Sequence, residues 1–391
     1  MSKHRSRRGF LQLSAAAASV GLLAGCSESE DSDDPPTSSD NDSDPGATTD
    51  PGTESSGPQT VEDMVGRTVE IPGTVEEVIG VGSGALRLLT YVGAEDKVIG
   101  VEEIETTNEK RPFRPYIHAN PSLSELPSVG SRNSPAPELL LQQNPDVIFW
   151  AWAESSDADN LQNQTGIPVV VIQPGDINEQ HRSLFFESLD LLGSVTDNAE
   201  AASDVETYTT ETIADLNERT ADLPEEEQID SYVGYLGRGN HGLTRTQPLY
   251  TPLEFVNAKN VASNLSGPLT KTKGAARIDI DPEAIIDQDP AYLFVDMGTV
   301  EYDALSTPQY ESVTAIQNGD VYTLFPVREY SINFGTTLAN AYYAGSVLYP
   351  DRFSDVDPVT RADEIYENFV GAPVYEQLAE TYGRGFSRLE I

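Results

Sequence analysis

The sequence predicts an α/β protein of two like lobes joined by one long helix. Three observations carry that expectation. Short aliphatic runs alternate with helical periodicities along residues 61–391, which implies mostly parallel sheets. A polar stretch at 197–222 holds no glycine or proline and keeps Ala202, Val205, Ile213 and Leu216 on one side, as a rigid strut would. An internal repeat then relates the halves: PELLLQQNPDVIFWAW at 137–152 aligns without gaps to PEAIIDQDPAYLFVDM at 282–297, offset by 145.

In chain order, a short strand at 68–72 leads into VEEVIGVGSGALRLLTYVGAEDKVIGVE. Residues 78–81 read as a buried strand and 82–84 as a tight turn. Ala85, Leu88, Leu89 and Val92 then recur at i, i+3, i+4 and i+7, one face of a helix. A second strand at 98–101 ends at Glu102. A helix around 138–143, a strand at 146–150, a helix around 159–164 and a strand at 169–172 complete a first lobe, 61–180. Residues 181–226 form an interlobe helical segment. One helix ends near 192–193, and the strut follows, nearly 40 Å long at about 1.5 Å per residue. A second lobe, 227–391, resumes with strands at 231–236, 278–280, 291–296 and 321–325, a helix near 253–257 and several terminal helices. Each repeat copy reads as a short helix, an Asn/Asp-Pro stop and a buried strand, followed by a further strand ending in proline, VVVIQP or VYTLFP. Two Rossmann-like lobes so related leave a cleft where their strand ends face each other.

The N-terminal stretch RRGFLQLSAAAASVGLLAGC, 7–26, predicts export: a basic front, a short apolar middle, then small residues. Its apolar part falls short of the roughly 20 residues that span a bilayer. Arg7 and Arg8 resemble a twin-arginine signal, and Leu23-Ala24-Gly25-Cys26 resembles a lipobox that would leave a lipid on Cys26. Cys26 is the only cysteine, so disulfides and cysteine-based zinc or redox sites are excluded. Residues 27–60 hold ten acids, no base and no aliphatic residue larger than Ala47. Such a segment cannot repay its ordering entropy and reads as a tether.

The formal charge is −40, from 24 basic and 64 acidic residues. Beyond Cys26 there are fifteen arginines and only five lysines. Self-repulsion of that size opposes compaction unless salt screens it; at about 1 M the Debye length is about 3 Å. The composition therefore reads as adaptation to high salt. No basic stripe exists to neutralise phosphates, which disfavours nucleic acid as a partner.

Gly80, Gly82 and Ala85 fit G-x-G-x-x-A, with Glu102 about 20 residues on, as in a dinucleotide site. The pattern is short, and a tight strand-to-helix turn needs glycine whatever it binds, so this reading is set aside. No G-x-S-x-G, H-E-x-x-H or Cys/His metal spacing supports an enzyme.

Taken in order, VEEVIGVGSGALRLLTYVGAEDKVIGV, PSVGSRNSPAPELLLQQNPDVIFW, GIPVVVIQPGD, GDVYTLFPV and LANAYYAGSVLYPDRFSDVDP resemble the substrate-binding lipoproteins of ABC importers for iron–siderophores, haem and cobalamin, in a haloarchaeal form. The resemblance covers 61–391. It implies the class III periplasmic-binding-protein fold and a monomer without cofactor. It also implies a membrane lipid anchor, a permease with its ATPase subunits as partner, and a cleft for a bulky chelate, most readily an iron(III)-siderophore type.

In a chain so poor in cations, the arginines on loops at strand ends become candidates for an anionic chelate. These are Arg238 and Arg245 with His241 in GRGNHGLTR, Arg328 with Tyr330, and Arg132 with Asn133. Trp150 and Trp152, one alternation step apart, are expected on the same side, stacking on the ligand. No direct metal site is expected. Glu138 and Glu283, equivalent in the repeat, correspond to the glutamates that the family docks on permease arginines.

Overall fold

A computed structural model describes residues 57–106, 114–237, 241–267, 277–298 and 301–391. The expected signal with Cys26, and the tether up to residue 56, lie outside the described residues.

Each lobe carries a four-stranded parallel sheet. In the first, β1 (Val78–Val81) lies between β2 (Val98–Gly100) and β3 (Val147–Ala151), and β4 (Val169–Ile172) flanks β3. In the second, β5 (Asp230–Gly234) lies between β6 (Lys259–Asn260) and β7 (Tyr292–Asp296), and β8 (Val321–Leu324) flanks β7. Both lobes thus share the strand order 2-1-3-4. The chain reverses direction beside the first strand of each, and parallel sheets offer ligand crevices at such switch points.

The repeat is structural. Helix α2 (Pro137–Gln143) and α5 (Pro282–Gln288) have matching bounds at the offset of 145, as do β3 and β7. Proline opens both helices, where its missing N–H costs nothing. Asn144 and Asp289 close them in the left-handed region, at φ 53° and 42°.

Helix α1 (Ala85–Tyr91) follows β1 without a linker because of two glycines. A Cβ on Gly80 would lie 3.0 Å from the Leu86 nitrogen, and one on Gly82 2.5 Å from the Ala151 oxygen, with Gly82 already at φ 85°. Close packing of strand, helix and neighbouring strand accounts for the G-x-G-x-x-A spacing.

Helices α3 (Arg182–Thr196), α4 (Ala199–Glu218), α6 (Phe334–Leu348) and α7 (Pro358–Val370) join the lobes. One apolar cluster runs from Val78 and Phe149 of the first lobe through Phe185, Leu216 and Phe334 to Phe294 and Leu324 of the second. Phe185 and Phe334 meet at 4.2 Å with their rings tilted by 48°, and Tyr91 meets Phe369 edge-on at 4.9 Å. Separate clusters cover the outer faces of the two sheets. A core continuous across the hinge opposes wide opening of the lobes.

Three expectations need correction. The strut α4 has 20 residues, about 30 Å and not 40. Beyond Glu218 the backbone tightens into Thr220 N–H to Asn217 and Leu223 N–H to Thr220 bonds ahead of Pro224. The stretch at 278–280 does not join the main sheet: Ile278–Asp279 pairs antiparallel with Arg245–Thr246. The place beside β5 belongs to β6, too short to show any periodicity. Gln59 and Thr60, assigned to the tether, form a strand with Val61 and Glu62 against Thr68–Ile71.

Candidate ligand site at the interlobe seam

Between β8 and α6 the chain makes a tight excursion, a finger at 327–333. Asn333 N–H donates to the Val327 carbonyl (2.8 Å) and Glu329 N–H to that of Ser331 (2.9 Å). Arg328 and Ile332 bridge across it. Tyr330 forms the tip at φ 60°. The finger belongs to the second lobe by sequence and reaches into the first. The Tyr330 hydroxyl donates to Glu102, and Arg87 Nη2 donates to the Glu329 carbonyl at 2.8 Å. A Cβ on Gly84 would lie 3.2 Å from Ser331 Oγ and 3.1 Å from Pro174, so only glycine admits the finger this closely. Gly84 and Arg87 follow β1, Glu102 follows β2 and Pro174 follows β4. The C-terminal ends of the first lobe's strands therefore receive the finger.

Around the tip a polar network closes. Glu102 Oε1 accepts Asn133 N–H at 2.7 Å, and Asn133 Oδ1 accepts Ser83 N–H at 2.9 Å. Trp152 Nε1–H donates to the Ser83 carbonyl at 3.1 Å. The Arg132 guanidinium lies 5.0 Å from the Tyr330 ring centre, a cation–π contact. Asn133, Trp152 and Tyr330 all have positive φ: 54°, 65° and 60°.

Charge at the seam is buried and mixed. Burial pushes the Glu102 carboxyl up to about 7, against the Tyr330 hydrogen bond that opposes it. Burial likewise raises Asp296 to about 7, opposed by Arg277. It also raises Asp176, opposed by Arg328, and Glu105, opposed by Arg114. Burial lowers Arg328 to about 10, helped by Arg277 and Arg87 and resisted by Asp176. At neutral pH Glu102 and Asp296 stand near the middle of their titrations while Arg328 keeps its charge, so the seam is less negative than its carboxyls alone would make it. The charge of Arg328 favours an anionic group.

The predicted residues divide. Asn133, Arg132 and Tyr330 come together, but on one another, with Tyr330 only 7 % exposed. Arg328 stands in the finger beside Asp176. Arg245 is held in a bidentate pair with Asp279 (2.8 Å for each bond) on the small antiparallel ribbon. His241 lies near Gly237, at the end of β5. Arg238 lies outside the described residues.

The two tryptophans do not share a side. Trp150 packs with the cluster on the outer face of the first sheet, Trp152 with the central core. Strand alternation stops at Ala151, and the left-handed backbone of Trp152 swings its ring across.

Sequence reasoning missed Arg87, Arg277, Asp176 and Asp296. One of them carried a signal: Asp296 occupies the repeat position of Ala151, a charge where a buried strand has alanine. It is 1 % exposed. Its Oδ1 accepts Gly298 N–H at 2.7 Å, and Oδ2 has no hydrogen-bond partner.

Glu138 and Glu283 are both exposed in the first turns of α2 and α5, at matching positions. A pocket of about 590 Å³ lies elsewhere, between α4, α6 and α7. Its cations are committed: Arg219 forks onto Asp355 (2.7 and 2.9 Å), and Arg361 bonds Glu364 and the Tyr342 hydroxyl (both 3.0 Å). It works as a brace between strut and second lobe. Among the described residues no group of three or more His, Cys, Asp or Glu could hold a metal ion.

Comparison with known proteins supplies the context. A family model described as periplasmic binding protein matches residues 78–327. The molybdate-binding protein MolA of Haemophilus influenzae is 22 % identical over 332 residues, 79 % of this chain and 90 % of that protein. The solved structure of MolA with molybdate, the cognate binding protein of an ABC transporter, matches at TM-score 0.61 and 18 % identity, over 81 % of this chain and 98 % of that one. A periplasmic solute-binding protein from Veillonella parvula matches at TM-score 0.65 and 18 % identity, over 83 % and 96 %. Helicobacter pylori CeuE with Ni(II) matches at 0.56 and 19 %, over 80 % and 95 %. At such identities the structures speak for the fold alone.

Proposed function

The chain belongs to the periplasmic binding protein family, and we propose that it captures an anionic metal chelate of the iron(III)-siderophore type at the interlobe seam. It is the binding component of an ABC importer, not an enzyme, and its fold is that of the class III binding proteins. One observation supports the ligand reading. A chain with 64 acids and 24 bases places Arg87 and Arg277 both within Coulomb reach of Arg328. The planar fork of arginine suits the carboxylate, catecholate or hydroxamate oxygens of such a chelate. A second reading, a small oxyanion, is favoured by the molybdate carried by the relative that matches 79 % of the chain.

A thermal-shift panel of ferric tricatecholate, ferric citrate, molybdate, haemin and cyanocobalamin, in multi-molar KCl, tests both. A probe at a hundredfold excess over its Kd adds about 2.7 kcal/mol, or about 5 °C. Shifts with the anionic ferric chelates support the first reading, and a shift with molybdate alone supports the second. A response confined to haemin or cyanocobalamin moves the chain to the haem- or cobalamin-binding members of the class. No shift with any anion overturns the assignment.

On the same reading, Cys26 carries lipid after twin-arginine export, and the acidic stretch that follows it holds a monomer at the extracellular face of the cell membrane in high salt. Glu138 and Glu283 dock on basic residues of the permease. Reversing both charges, Glu138→Lys with Glu283→Lys, is expected to cut uptake into reconstituted vesicles at least tenfold while probe affinity holds. Unchanged uptake would refute docking through these residues.

A further inference from the structure

Arg132, Asn133 and Tyr330 stand where ligand contacts are expected, yet they are spent on one another. Tyr330 spans the seam: its backbone is in the second lobe's finger, and its hydroxyl donates to Glu102 of the first. Glu102 in turn divides its oxygens, one for Tyr330 and one for the Asn133 N–H at 2.7 Å. Asn133 Oδ1 lies 3.4 Å from the same hydroxyl and takes Ser83 N–H, at the switch point beside β1. Arg132 covers the ring at 5.0 Å. Bulky residues avoid positive φ, and each such position is strained. Two of them, Tyr330 and Trp152, meet this network with Asn133. Strain of this kind persists only where the surroundings over-determine it. What over-determines it here is a ring of hydrogen bonds closed across two lobes.

We propose that Tyr330 is a positioning residue: the finger, clasped through its hydroxyl to Glu102, holds the lobes in register before a ligand arrives. Arg87 of the first lobe then already holds the finger that carries Arg328 of the second, through the Glu329 carbonyl. A clasp that is closed in the free protein lowers the ordering cost of binding. It is also an interaction that a transporter must break to take the ligand.

The ligand arm of the test rests on the proposed function; the conformational arm does not. Spin labels are placed on Cys at Gln142 and Asp287, exposed and equivalent in the repeat, in the full chain carrying Cys26→Ser. Without ligand, the parent is expected to give one narrow interlobe distance. Tyr330→Phe, which removes one oxygen and keeps the ring, is expected at least to double the width of that distribution. Glu102→Gln should do the same, because hydroxyl and backbone N–H must then compete for one oxygen. In both variants, affinity for the best-binding anion among ferric citrate, ferric tricatecholate and molybdate should fall about tenfold. A narrow distribution in Tyr330→Phe overturns the clasp. So does an affinity that rises, since the finger would then be an obstacle that the ligand displaces. If no anion binds the parent but the distribution still broadens, the clasp stands and the ligand reading falls.

Discussion

Replacing Arg114 with alanine is expected to destabilise the fold by about 3–5 kcal/mol, lowering the melting temperature by roughly 10 °C. Arg114 and Glu105 form an ion pair at 2.9 Å with side chains 1 % and 3 % exposed. Arg114 also donates to the Ile104 carbonyl at 2.7 Å, and Tyr116 donates to the other Glu105 oxygen at 2.7 Å. Two buried charges so paired offset each other's desolvation. Removing the cation leaves a carboxylate with no water and one hydroxyl donor. The same short segment carries Glu102, so the loss should also loosen the receiving side of the finger. Burial already raises the Glu105 carboxyl, and without Arg114 it rises further. The penalty should therefore be larger at pH 8 than at pH 5. Arg114→Ala with Glu105→Gln should recover most of the loss, because an amide is cheaper to bury than a carboxylate. Denaturant unfolding of both variants at the two pH values measures this. A single-variant loss below about 1 kcal/mol would show that the pair is not held as described.

How much of this was legible in the sequence depends on the kind of information involved. The two sheets were legible because buried strands are aliphatic runs, and the repeat set the bounds of α2 with β3 and of α5 with β7 at one offset. The edge strand β6 was not, since two residues have no period. Trp152 was misplaced because alternation holds only in extended backbone, and nothing local marks residue 152 as left-handed. The site was legible as a location, the strand ends, more than as a set of residues. Arg245 and Arg277 look alike in the sequence. One forks onto Asp279 across a ribbon; the other is buried beside Asp296. That distinction is made by tertiary partners, which spacing does not encode. Tyr330 was found, but its partner was not. Glu102 was weighed as part of a dinucleotide pattern, whereas its carboxylate is committed to the finger.

Stability is expected to fall as pH rises from about 4.5 to 7, the reverse of ordinary acid denaturation. Burial raises Glu102 from 4.5 to about 7 and Asp296 from 3.8 to about 7. Between those values the folded chain binds protons that the unfolded chain has released. Proton binding thus favours folding, and raising the pH removes that support. At 1.36 kcal/mol per unit, Glu102 is worth about 3 kcal/mol and Asp296 about 4 kcal/mol. Above about 7 the contribution is gone and the curve flattens. Asp355 acts oppositely: Arg219 holds it down at about 2, so it weakens the fold only as pH drops through the range from 3.8 to 2. Asp355 is exposed and screened by salt, so the buried carboxyls dominate in concentrated KCl. The optimum should lie near pH 4 to 5. Unfolding midpoints measured from pH 4 to 8 check the sign, and a flat or rising curve between 5 and 7 would refute it. Glu102→Gln and Asp296→Asn, which cannot ionise, should each make the slope shallower. The seam should follow the same titration. Arg328, lowered only to about 10, stays charged throughout, so ionisation of Glu102 and Asp296 makes the seam more negative. Affinity for an anionic probe should then decline over the same interval in which the fold loses stability.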